Sequence, residues 1–421
     1  MNDAGGLRVT SSPIDDPGSL IARLSPSDPL AFIRNGDGII GIGAALRLSF
    51  TGPSRIADAA AAWRALVAAS TVSDAVRLPG SGLVAFGSFA FSDESAATSV
   101  LIVPSVIVGR RDGVAWVTRV CALRAAALNT AGGEEGGSSS AERMAPGHIL
   151  PDEAPAGPAF GVSLTPGRTS PKAYAAAVSA AIEHIVAGEV RKVVLARELA
   201  GELPAGADLR HPLGRLAAAY PDTFTFAVAG LVGASPETLV RVDGITVTAR
   251  VLAGTAPRDE PQEAIANSPK DLAEHSYARE SVMTALERHA TGVTAAPPYP
   301  LALPNLWHLA SDVTGTLTDG SSSLDLVAAL HPTAAVAGAP TDVALRLIAE
   351  LETFDRGRYA GPVGWVGANG DGEWAVALRC AQVDGALVTA YAGAGIVADS
   401  DPARELAETT LKFRPVAEAF G

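Results

Sequence analysis

Residues 361–394 read GPVGWVGANGDGEWAVALRCAQVDGALVTAYAGA, and their patterning decides the fold class. Apolar runs at 361–368, 373–383 and 386–394 are separated by NGDG and DG. These residues suit tight hairpin turns because Asn, Asp and Gly tolerate positive φ. The stretch therefore predicts a meander of antiparallel strands.

Upstream, further strands are expected at 82–92, 99–109, 113–120, 191–199 and 223–233, with shorter ones at 238–242 and 245–254. Helices are expected at 56–70 and over PKAYAAAVSAAIEHIVAGE, where Tyr174, Val178, Ile182, Ile185 and Val186 recur at helical spacing. Another opens at Ser268, a good N-cap, with Pro269 at the first helical position. Hairpin-linked strands with interspersed helices point to an α+β fold with large, mostly antiparallel sheets. NTAGGEEGGSSSAERMAPG (129–147) has the composition of a flexible loop.

The 421 residues carry 48% hydrophobic and 18% charged side chains, as an ordered globular chain does. A net charge of −13 with no basic run argues against a nucleic-acid partner. Cys121 and Cys380 are too few for a disulfide framework or a zinc site and suit a reducing cytoplasm. The N-terminus lacks an apolar signal-peptide core, and the longest uncharged stretch, 289–311, contains four prolines, so no membrane segment is expected. Monomer is the default oligomeric state.

The last helix, in SDPARELAETTLKFRPV (400–416), starts cleanly with Asp401 as N-cap and Pro402 at its first position. At about 100° per residue, Glu405, Glu408 and Lys412 share a ~60° arc. Leu406, Thr410, Phe413 and Ala417 fall on another side, the expected core face. The acidic stripe fits either a solvated face with a Glu–Lys pair or half of a metal site beside a carboxylate-binding lysine. Asp271 and Glu274, three residues apart on their own helix, fit either helix-start electrostatics or the other half.

Lys192 alternates with Val193 and Leu195 on a strand, so it points inward if both faces are covered. Desolvation would then favour its neutral, basic form. Glu237 follows Pro236 at a bend between strands, where an exposed turn carboxylate is the ordinary reading, and Arg379 sits within the apolar run WAVALRCA, a position suited either to clasping a carboxylate or to an interior ion pair. The glycine turn in YAGAGIVADSDP is neither a P-loop nor a GxGxxG fingerprint, and no HExxH or GxSxG pattern occurs.

Together these motifs resemble the chorismate-utilising enzymes. KVVLAR, GASPETLVR, VLAGTAPR, KDLAEHSYARE, HPTAAVAGAP, FDRGRYAGPVGW, ALRCA, YAGAGIV and SDPARELAETTLK occur in family order over 165–421, with AFGSFAFS as an earlier match. The resemblance implies a single large domain over 1–421: two layered antiparallel sheets flanked by helices, with 1–128 giving the N-terminal part of the sheets and 165–421 the catalytic core. It implies that Glu274 and Glu408 ligate Mg²⁺, with Asp271 and Glu405 nearby. It places Tyr359, Arg379, Lys412, His308, Ala335 and the amides around Gly393 and Gly395 at the substrate chorismate.

Within the family, the aminodeoxychorismate branch carries lysine where this chain has Ala253, and the anthranilate and salicylate branches carry threonine where it has Ala335. Those alanines resemble the isochorismate synthases, and Lys192 and Glu237 match the family's base and acid for adding water. The implied activity is isomerisation of chorismate to isochorismate, for menaquinone or siderophore biosynthesis. A salicylate synthase and a non-catalytic homologue are the alternatives.

Overall fold

The 361–394 meander divides between two sheets. Pro362–Gly367 pairs with Gly372–Val376 in one sheet, while Cys380–Asp384 pairs with Leu387–Ile396 in the other. Arg379, between the two hairpins, has a φ of +49°, left-handed backbone uncommon outside glycine. The expected strand 373–383 is therefore broken at 377–379, and Arg379 occupies a corner rather than a mid-strand position. A second corner lies at Pro236 and Glu237, between Leu231–Ser235 and Thr238–Asp243. A third lies at Pro104 and Ser105, where the expected strand 99–109 splits into Ser99–Val103 and Val106–Arg111. Proline, which cannot donate to a ladder, marks two of these ends. The first two corners are stitched together: Val376 N–H donates to Glu237 O at 3.2 Å and Ala234 N–H to Arg379 O at 3.1 Å. The expected strand 223–233 is a hairpin, Phe224–Val228 with Leu231–Ser235, turning through Ala229 and Gly230 at φ 51° and 79°.

The computed structural model describes residues 6–123, 153 and 155–421, so the expected flexible loop 129–147 lies outside the described residues. Among those described, a 13-stranded and a 10-stranded sheet form the two layers, with eight α-helices around them. Every strand pairing is antiparallel except that of Leu7–Ile14 with Thr71–Asp74. Strands from before residue 123 join the later ones at one seam per sheet. Leu30–Arg34 meets Phe224–Val228 in the larger sheet, and Val84–Ser88 meets Pro362–Gly367 in the smaller.

The main core lies between the layers and includes Phe86, Phe89, Trp116, Phe226 and Trp374, all fully buried. Burying each such side chain contributes roughly 1.5–3 kcal/mol. A second core sits under the helices Arg210–Ala219 and Pro402–Phe420. The buried face of that last helix runs through Glu405, Thr409, Phe413, Val416 and Phe420, while Thr410 is exposed. The expected core face through Leu406 and Thr410 is thus displaced by about one residue, and Glu405 belongs to the interior. The solvated reading of the acidic stripe does not hold. Among the described residues no helix is long and apolar enough to cross a membrane.

Candidate active site

The strand Lys192–Glu202 is covered on both faces, and Lys192 at its start is 0% exposed. Its Nζ lies 3.1 Å from Glu274 Oε1, without hydrogen-bond alignment. Burial opposes ionisation of Glu274, yet Lys192 and Lys412 outweigh it and hold the carboxyl below its usual range. Gly395 makes this arrangement possible, since a Cβ there would overlap Glu274 Oε1.

On that side of the Lys192 strand, Gly338–Ala339 pairs with its start and Thr165–Pro166 with Leu199 and Ala200, and a buried ion pair fills the gap between them. Arg356 Nη2 donates to Val194 O at 2.7 Å and Nη1 to Val336 O at 2.9 Å, while Ala196 N–H donates to Glu352 Oε1 at 2.8 Å. The strand bearing Lys192 is thereby tied to the 331–340 loop that bears Ala335.

Glu237, at its corner, is 4% exposed. Burial pushes its pKa up to about 8 against the opposing pull of Lys192, Lys412 and Arg379, so the carboxyl is protonated at neutral pH. Arg379 is also buried, and among the described residues it makes no ion pair. Its Nη2 donates to His308 Nε2 at 2.8 Å. His308 Nδ1 faces Gly254 O at 3.0 Å, which assigns the ring proton to Nδ1 and leaves Nε2 as acceptor. Burial, then Arg379 and Lys412, hold the His308 pKa well below its ordinary value, so the ring is neutral. Tyr359 stacks on Tyr391 at 5.1 Å, and Lys412 Nζ donates to Gly393 O at 3.0 Å. A buried guanidinium without a counter-ion is costly, and an anionic ligand would supply one.

Where the Pro269–Leu286 and Pro402–Phe420 helices meet, Asp271, Glu274, Glu405 and Glu408 form an acidic cluster. Burial, then the charge of Glu408, pushes Glu405 up to about 7. Burial, with a further push from Glu274 and Glu408, raises Asp271. Like charges that disfavour one another, presented only as carboxylate oxygens, form a donor set that fits Mg²⁺. Among the described residues no three His, Cys, Asp or Glu side chains are already gathered around one point. Lysines stand among them instead: Lys192 beside Glu274, Lys270 on Glu405 at 2.6 Å and Lys412 on Glu408 at 2.6 Å.

These groups surround a cavity lined by Glu237, Glu274, His308, Ala335, Tyr359, Arg379, Gly393, Gly395 and Lys412, among others. Nine of the thirteen residues singled out from sequence thus face one space. Lys192 stands directly behind Glu274, and Asp271, Glu405 and Glu408 lie outside the lining. Arg356 and Tyr391, which line the cavity, were not anticipated. Arg356 lies in the recognised FDRGRYAGPVGW motif, but bonds to backbone carbonyls leave no spacing signature.

A buried proton donor, a guanidinium awaiting an anion and an acidic cluster at the corner of two antiparallel sheets define the class. The chain belongs to the chorismate-binding enzyme family, whose model matches residues 16–421. A Mycobacterium tuberculosis protein assigned as isochorismate synthase MenF is 40% identical over 296 residues, 65% of this chain and 79% of that one. Isochorismate synthase DhbC of Bacillus subtilis is 39% identical over 271 residues, 60% of this chain and 68% of that one. The crystal structure of a Bacillus anthracis protein assigned as the 2,3-dihydroxybenzoate-specific isochorismate synthase DhbC matches with a TM-score of 0.75 at 29% identity, over 95% of this chain and 98% of that one.

Proposed function

We propose that this chain is an isochorismate synthase, isomerising chorismate to isochorismate for menaquinone or siderophore biosynthesis. The observation that carries the reading is one cavity wall holding both a buried guanidinium without an ion pair, Arg379, and a buried carboxyl protonated at neutral pH, Glu237. One receives an anion and the other gives a proton, which is what a carboxylate substrate losing a hydroxyl group needs.

In this reading Arg379, oriented by neutral His308, and Tyr359 hold the enolpyruvyl carboxylate. Lys412 and the amides around Gly393 and Gly395 hold the ring carboxylate. Lys192 takes a proton from the water that attacks ring C2. The two ring double bonds each shift by one position, and Glu237 protonates the departing C4 hydroxyl, so one water enters and one leaves. Glu274 and Glu408, with Asp271 and Glu405 behind them, are the residues that would hold Mg²⁺. The ion would supply positive charge that fixes the substrate and offsets its carboxylates.

Incubating the protein with chorismate and Mg²⁺ and separating the products tests the reading. Isochorismate is the expected product, accumulating only while the cation is present, with loss in EDTA and recovery on adding Mg²⁺. Salicylate and pyruvate would replace it with the salicylate synthase reading. Binding without turnover would leave a non-catalytic homologue.

A further inference from the structure

Of the three lysines among the acidic residues, Lys192 and Lys412 have work at the substrate side. Lys270 does not. It is absent from the cavity lining, and among the described residues Glu405 is its sole hydrogen-bond partner, at 2.6 Å. Its place on the helix is also unfavourable. With Ser268 as N-cap, Lys270 is the second helical residue, where the helix dipole disfavours a cation. What offsets that is the acidic cluster itself. Glu405 is 1% exposed and faces Glu408, so its ionised form needs a nearby positive charge. Glu408 and Glu274 act on the Lys270 ammonium as well. Lys270 is also the most accessible of the three, with 28% of its side chain exposed against 0% for Lys192 and 13% for Lys412. A flexible four-carbon stem can carry its ammonium out to water without disturbing the helix.

We infer that Lys270 is a resident counter-ion: it holds Glu405 in the cation-free protein and gives way when a divalent cation enters the cluster. The inference rests on the metal reading given above and adds that this chain sets its own cation affinity through an internal competitor. A lysine that merely braced Glu405 would strengthen cation binding, whereas a competitor weakens it.

Mn²⁺, whose binding is read directly by electron paramagnetic resonance, is the probe. Metal-stripped wild type and Lys270→Met are titrated with it, and melting is followed in EDTA and in Mn²⁺. Lys270→Met should bind Mn²⁺ about tenfold more tightly, since a competing charge is gone. It should also melt lower in EDTA and regain more on adding the ion than wild type does. Equal or weaker Mn²⁺ binding by a folded Lys270→Met protein would overturn the inference. If that variant does not fold, amine acylation of the wild type followed by mass spectrometry decides: bound Mn²⁺ should raise labelling of Lys270 severalfold. Unchanged or reduced labelling with Mn²⁺ bound would overturn it. A wild type that takes up no Mn²⁺ would remove the metal reading itself, an outcome distinct from either.

Discussion

The first 122 residues and the stretch from 165 onward build the same two sheets, yet they do different things. The early strands join the later ones at the two seams, and Phe32 stacks on Phe224 across one of them at 4.8 Å. All residues lining the cavity come from positions 194–412. Each region has short corners where the chain changes sheets. The early corners at 43–45 and 104–105 carry no titratable group, whereas the later ones at 236–237 and 377–379 carry Glu237 and Arg379. Corners end strands and free their side chains from the ladder, so they can present chemistry; whether they do depends on what the surrounding elements bury beside them.

The sharpest way to break this division is to attack the later region where it is proposed to act on protons. Lys192→Gln and Glu237→Gln should each lower kcat by roughly 10²–10⁴-fold with chorismate affinity retained. Because both act in one reaction, the double variant should be little worse than the worse single one. Steady-state rates and a direct binding titration check this, and near-normal kcat in Lys192→Gln would move the base elsewhere.

The early region should answer in stability instead. Trp116 is fully buried, its ring against Gly109. Trp116→Ala should cost about 3–5 kcal/mol in denaturant unfolding while the folded fraction keeps its kcat. A loss of kcat per folded molecule would show that the framework reaches the chemistry.

Gly395→Ala makes the converse test with one methyl group. The new Cβ must displace the Glu274 carboxylate, and a shift of that kind costs about 10²-fold in turnover. Global stability should change far less than in Trp116→Ala, as thermal melts can show.

A smaller effect follows from the protonated state of Glu237. Its pKa is raised from 4.5 to about 8, so the folded protein binds that proton more tightly than the unfolded chain. The associated stability is fully present below the unfolded value and is lost as pH rises through about 8. Urea midpoints of wild type should therefore fall between pH 5 and 9 by more than those of Glu237→Gln. Equal slopes would show that Glu237 ionises normally.

The smallest expected change is in product identity. Ala335 lines the cavity on the loop held by Arg356. Ala335→Thr should lower isochorismate output or admit some elimination product, as chromatography would reveal.

Much of this was legible in the chain because turn chemistry is local. NGDG and DG mark real hairpins, and alternation around Lys192 allowed an inward lysine, which the burial of both strand faces decides over one reaching out to solvent. The corner at 377–379 left no such mark. Gly372–Val376 and Cys380–Asp384 are largely buried on both faces where they flank it, so hydrophobicity runs on unbroken while the backbone turns. The last helix misled for a related reason. Glu405 reads as solvent-facing, and the lysine across from it, 135 residues away in sequence, with Ser400, makes its burial tolerable. The metal and substrate roles came from family motifs rather than spacing. Arg356 and Glu352, which stand in for a strand, were invisible because their partners are main-chain atoms.

The two seams also have a bearing on how the protein is made. While the ribosome has delivered only the early strands, Leu30–Arg34 and Val84–Ser88 each keep one rim unpaired, because their partners lie at 224–228 and 362–367. Bare strand rims are templates for pairing with other chains. The nascent polypeptide thus carries two adhesive edges until the strand at 224–228 emerges, and the second is closed only when the hairpin beginning at Pro362 follows.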